Sequence, residues 1–203
     1  MALATEVKAA VAAKLEEYEG WANHLYVDST GNVTVGVGYL VASQAVAAKL
    51  PLFKVVKDAP GDAATAKEKE AEFATVAALQ KGYRAAWYKT HTTLVMKDAD
   101  VTKLRDEHIT EFYGHLVRIY TKANGYPADF DDLSTKVQQA LFDLIFNLGQ
   151  TGITAKFKNF DAAVKAGDWK KAATESNRPQ VAAARNDYVK TLFLGAADEA
   201  VKK

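Results

Sequence analysis

Between Ser134 and Leu148 the residues Val137, Ala140, Leu141, Leu144, Ile145 and Leu148 recur three and four positions apart. That period belongs to an α-helix with an apolar side too wide to leave in water, so other elements must be wrapped around it. Ser134 is placed to cap its start. Its end, Asn147-Leu148-Gly149-Gln150-Thr151-Gly152, brings polar residues out of the core. The rest of the chain is read as cover for this helix. Helices are expected from Thr5, as N-cap, to Tyr18 (stripe Val7, Val11, Leu15), over Ser43–Leu50 before Pro51, and over Ala64–Ala86. Further helices are expected over Asp98–Lys122, Phe157–Lys165, Asp168–Ser176 and from Pro179 through Val201. Asn124-Gly125-Tyr126-Pro127 reads as a break, and Lys54–Gly61, with its Asp-Ala-Pro-Gly, as a loop.

One stretch does not follow the helical period. His24–Asp28 is a short strand, Ser29-Thr30-Gly31-Asn32 is turn chemistry, and Val33 through Tyr39 alternates and is rich in β-branched residues. The class expected is therefore α+β, mostly α. Gly36 and Gly38 would leave one face of the second strand bare, so that a bulky group could approach the backbone. The Gly-x-Gly there lacks the third glycine and the helix opening of a dinucleotide loop. Glu19 precedes Gly20, a C-cap residue, and so sits at the C-terminal end of the first helix, where the helix dipole disfavours negative charge.

Several function classes are excluded or given no support. The 203 residues carry a formal net charge of +1 and no basic block, so nothing argues for nucleic acid or an anionic membrane. With no cysteine there is no disulfide, thiolate metal site or cysteine nucleophile. The N-terminal Met-Ala-Leu-Ala-Thr-Glu-Val-Lys does not read as a secretory leader, and no window is apolar enough to insert in a membrane. A protein made in the cytoplasm in this way, and acting outside it, needs another carrier. His108 and His115 share a helix face with Glu111 at its edge, but paired core histidines are the commoner meaning of such spacing, and no metal or organic cofactor is expected. Lys67, Glu68, Lys69, Glu70 and Glu72 read as a solvated helix face. Tyr83, Trp87 and Tyr88 fit either core or a sugar-contacting patch.

Two carboxylates in unlike settings are the minimum equipment for glycoside hydrolysis: one donates a proton to the leaving oxygen while the other stays ionised. Glu19, at a helix end, and Asp28, beside a turn, are such a pair. The hydroxyl of Thr34 on the adjoining strand can position a water next to Asp28. By residue chemistry alone, a solvated surface Glu and a turn Asp explain the same residues.

The spacing of Glu19-Gly20, Leu25-Tyr26-x-Asp28, Gly31 and Thr34-Val35-Gly36-Val37-Gly38 resembles the catalytic signature of phage-type lysozymes, glycoside hydrolase family 24. The resemblance continues in Phe146 through Gly152, in Phe160 through Ala173 with Ala166-Gly167-Asp168-Trp169, and in Arg185 followed by Leu192-Phe193. The latter half also resembles the muramidase domain of pesticin and related interbacterial toxins. The resemblance implies a single lysozyme-like domain, with a small sheet-containing lobe over about 19–97 and a helical lobe over about 1–18 and 98–203. Substrate would lie in the cleft between them.

It further implies Glu19 as general acid, Asp28 as second carboxylate and Thr34 as the water-positioning hydroxyl. Arg185 would pair with the acid, Asn147 would line the sugar cleft, and Gly36 and Gly38 would support it. The implied activity is hydrolysis of the bond between N-acetylmuramic acid and N-acetylglucosamine in peptidoglycan, by a monomer acting on the cell wall. A phage endolysin or an antibacterial effector would fit, the latter with an immunity protein and delivery machinery as partners. A lytic transglycosylase and a non-hydrolytic peptidoglycan-binding or scaffold module are the alternatives. Tyr39 departs from the family pattern, which commonly has His there, and the segment from about Pro51 to Met96 is longer than in compact phage members.

Overall fold

Helix α1 (Thr5–Glu19) stops where the chain reaches Gly20, whose φ of +79° is a left-handed turn that glycine adopts without cost. Residues 3–201 are described by a computed structural model; Met1 and Ala2, the first two residues of the stretch inspected for a leader, lie outside the described residues, as do Lys202 and Lys203. The chain is α+β and mostly helical, with two small three-stranded sheets. At the start of α1, Lys8 N donates to Ala4 O at 2.9 Å, so Ala4 occupies the cap position and Thr5 lies in the first turn, one place later than the sequence suggests. The chain divides into two compact units: residues 15–108, and the residues up to Lys14 together with those from Ile109 on.

Within the 15–108 unit, β1 (Ala22–Val27) and β2 (Val33–Gly36) form an antiparallel hairpin, and β3 (Tyr39–Leu40) folds back onto β2. The expected single strand from Val33 to Tyr39 is thus two strands. Gly36 and Gly38, at φ +67° and +68°, reverse the chain, and the left-handed backbone they supply outweighs the β propensity of the valines between them. Neither glycine leaves a bare strand face: a Cβ on Gly36 would meet Val101 and Leu104 at 3.6 and 3.7 Å. After α2 (Gln44–Ala47), capped by Ser43, comes a second hairpin, β4 (Leu52–Val56) and β5 (Ala59–Ala63), where a loop was expected. Lys57 and Asp58 both have positive φ, the geometry of a tight two-residue hairpin turn. Pro60 is tolerated because β5 is an edge strand in the order β5-β4-β6.

The long helix expected over Ala64–Ala86 is two, α3 (Ala66–Ala77) and α4 (Ala85–Tyr88). Thr65 and Glu68 form a reciprocal capping box at the start of α3. Of its charged face, Lys67 is exposed and Glu68, Lys69 and Glu70 are half-buried, while Glu72, expected as part of a solvated face, is buried and accepts hydrogen bonds from Thr93 N, Thr93 Oγ1 and Leu94 N. Those bonds tie α3 to β6 (Leu94–Met96), which leads into α5 (Asp98–Ile119).

The other unit is built round α6 (Thr135–Thr151), with Ser134 accepting from Val137 N as N-cap. Val137, Ala140, Leu141, Leu144 and Ile145 are buried as their spacing requires. Gly149, at φ +68° and ψ 174°, breaks the helix before a π-helical turn, Gly152–Lys156. Then follow α7 (Lys158–Lys165), α8 (Trp169–Glu175) with Asp168 as N-cap, and α9 (Ala183–Val201). The last helix begins four residues later than Pro179 suggests, because Arg178 to Ala182 form a turn in which Val181 N donates to Arg178 O.

Candidate active site

Glu19, Asp28 and Thr34 all belong to the 15–108 unit. The β1–β2 hairpin carries two of them, Asp28 at the start of its turn and Thr34 on β2. Tyr26 lies opposite Thr34, and Asp28 N donates to Asn32 O to close the turn. Directly opposed residues of a hairpin share a face, so Tyr26 and Thr34 project to one side. Val27, Val33 and Val35 take the other side and are buried.

Asp28 is the organiser of the turn. Its Oδ1 accepts from Thr30 N, Thr30 Oγ1, Gly31 N and Asn32 N at 2.7–2.8 Å, while Oδ2 accepts only a longer bond, 3.3 Å, from Asn32 Nδ2. Partial burial pushes its pKa up, but these bonds to the charged form outweigh burial and the net shift is downward. Asp28 is therefore a persistent anion and a weak base, with Oδ2 as the oxygen open to further contact. Thr34 is buried at 4% exposure, and its hydroxyl donates to Asn32 O at 3.3 Å. Its remaining capacity is as an acceptor, which suits it to receive a hydrogen from a water.

Glu19 is half-buried and stands against the Gly36–Gly38 turn. A Cβ built on Gly38 would lie 3.1 Å from Glu19 Cγ and 3.3 Å from Oε2. A methyl there would press Glu19 back by a few tenths of an ångström. The last turn of α1 is held in the same unit by Glu16, which pairs with Arg105 of α5; Arg105 also bonds Asp106 at 2.7 Å. Tyr26, opposite Thr34, is partly buried. Its phenol is pushed up to about 12, by burial first and then by the negative charges of Glu19 and Asp28. Sequence reasoning quoted Tyr26 within the motif without giving it a role, and its place opposite Thr34 was the available signal.

Arg185 and Asn147 belong to the other unit. Asn147 is exposed near the end of α6. Arg185 is buried, and its Nε donates to Asp143 Oδ2 at 2.8 Å, while fully buried Arg178 reaches Asp143 Oδ1 at 2.7 Å. Asn186 completes the cluster, accepting from Arg178 N and donating to Arg178 O. Sequence reasoning missed Asp143 and Arg178, although an aspartate among the buried positions of an apolar helix was a visible mark.

Tyr88, offered as core or patch, is buried, whereas Tyr83 and Trp87 stack at 4.2 Å with Tyr83 exposed. Among the described residues no cluster of His, Cys, Asp or Glu is placed to hold a metal ion, and no helix is long and apolar enough to cross a membrane. No protein-family model matches the chain, and a search of curated proteins gave no match.

Proposed function

We propose that this protein is a peptidoglycan muramidase, hydrolysing the β-1,4 bond between N-acetylmuramic acid and N-acetylglucosamine. One observation carries the reading: two carboxylates of the 15–108 unit stand in contrasting settings. Glu19 leans on a glycine turn at a helix end, and Asp28 is held ionised by a ring of donors. Glycoside hydrolysis needs one carboxyl to give a proton and one to remain negative. Glu19 is the general acid. Asp28 stays ionised, stabilises positive charge at the sugar carbon, orients a water through Oδ2 and takes that water's proton as its oxygen bonds to the carbon. Thr34 accepts the water's second hydrogen, leaving an oxygen lone pair for attack. The role is that of an effector or endolysin acting on the cell wall.

The test is mass analysis of products from purified peptidoglycan, with Glu19→Gln as control. Reducing-end muramic acid from the parent protein and none from the variant is expected. An anhydro sugar would assign a lytic transglycosylase instead, and equal release by the variant would remove Glu19 from the mechanism. A non-hydrolytic peptidoglycan-binding module is the second reading, favoured by the five hydrogen bonds that Asp28 accepts within its own turn. Release of no products would leave that reading standing.

A further inference from the structure

The 15–108 unit has a pocket of about 520 Å³ that the proposed chemistry does not use. Its size is that of a small-ligand site. Tyr39 of β3 forms one wall, its ring fixed by an edge contact with His108 at 5.5 Å. Helix α5 supplies Asp100, Lys103, Leu104 and Glu107, spaced so that they line one face, and Lys49 follows α2. Leu104 also packs on Gly36, and Tyr39 follows Gly38, so the pocket backs onto the glycine turn against which Glu19 stands.

Its charges are two ammonium groups, Lys49 and Lys103, and two carboxylates, Asp100 and Glu107. Lys103 and Glu107 are 3.8 Å apart and largely exposed, a loose pair that a ligand can exchange for its own groups. A glycan backbone offers hydroxyls and acetamides but no charge to match this set. A phosphate would meet two carboxylates. The peptide stem on muramic acid carries both free carboxylates and a free ammonium, with small methyl groups that suit the face of Tyr39.

We propose that this pocket binds the peptide stem of peptidoglycan, beside the turn that holds the acid. The inference rests on the muramidase reading for its substrate, but its test does not depend on turnover. In an NMR titration of the whole protein with a free stem tripeptide (alanine, glutamate and a diamino acid), shifts should gather at Tyr39, Lys49, Lys103 and Glu107. They should be lost in Lys49→Ala/Lys103→Ala. No shifts at millimolar peptide, or shifts centred elsewhere, would overturn the assignment.

The second arm compares intact peptidoglycan with the same strands after an amidase has removed the stems. The double variant should lose about two- to thirtyfold in kcat/KM on the stem-bearing substrate, the worth of two exposed ion pairs, and under about 1.5-fold on stripped strands. Equal loss on both substrates, or on neither, would overturn the assignment. A parent protein that cleaves neither substrate yet shows the tripeptide shifts would sink the muramidase reading and leave the pocket standing.

Discussion

Gly38→Ala separates the backbone role of the glycine turn from its role beneath Glu19, because Gly36→Ala is a matched control. Both residues have φ near +68°, so alanine at either carries the same left-handed penalty, about 1–2 kcal/mol. For a chain of this size each kcal/mol lowers Tm by about 2–4 °C, so both variants should melt about 2–8 °C lower. Beyond the backbone they differ. At Gly36 the added methyl meets Val101 and Leu104 at ordinary contact distance, 3.6 and 3.7 Å. At Gly38 it meets Glu19 at 3.1 Å from Cγ, 3.2 Å from Cβ and 3.3 Å from Oε2, so the carboxylate must move by a few tenths of an ångström. A catalytic group displaced by about 1 Å costs on the order of a hundredfold, so a smaller shift should cost about ten- to thirtyfold. The assay is release of reducing ends from peptidoglycan well below both melting points, with Tm from circular dichroism. Equal turnover by the two alanine variants would refute the claim that Gly38 seats the acid; unchanged Tm in both would refute the backbone argument.

Thr34→Val should lower the rate about ten- to a thousandfold by removing a water acceptor, while losing only one weak bond to Asn32 O, under about 1 kcal/mol. An unchanged rate would reduce Thr34 to a strand residue. Asp143→Ala should cost about 3–5 kcal/mol in urea denaturation, since it strips a carboxylate from two buried arginines, against under about 1 kcal/mol for Lys136→Ala at the exposed Lys136–Glu199 pair. Similar losses would contradict the burial argument.

Acid should destabilise the protein in two steps. His24 has a lowered folded pKa, chiefly through burial, against which its bond to Ala85 O works. The unfolded chain therefore takes up its proton first, and stability falls as pH drops below about 6.5. Asp28 is also lowered, so its contribution is complete above about pH 3.9 and lost as pH falls through its lower folded value. Urea midpoints across pH should show both steps, and His24→Gln should flatten the first; a slope that survives would place it elsewhere.

How much was legible depended on the range of the interactions involved. The turn at Ser29–Asn32, the caps at Ser43 and Ser134 and the left-handed Gly20 follow from short-range chemistry, and all four stand where the residues put them. Two neighbouring features did not. The alternation of Val33–Tyr39 reads as one strand because period alone cannot tell where glycines turn the chain. Lys57 and Asp58 hide the second hairpin because neither is a residue that favours positive φ strongly enough to announce a tight turn.

The sequence by itself determined an α+β, mostly helical chain with a buried α6, and a β-turn region in which Glu19, Asp28 and Thr34 are separated by nine and six positions. Those are consequences of periodicity, capping and turn chemistry, each settled within a few residues. Only the tertiary structure decided that Glu19 lies on Gly38, that Asp28 gathers four donors on one oxygen, and that Asp143 pairs with two buried arginines. Contact at 3 Å and the burial that sets a charge's energy depend on residues distant in the chain, and spacing along one strand or helix does not contain them.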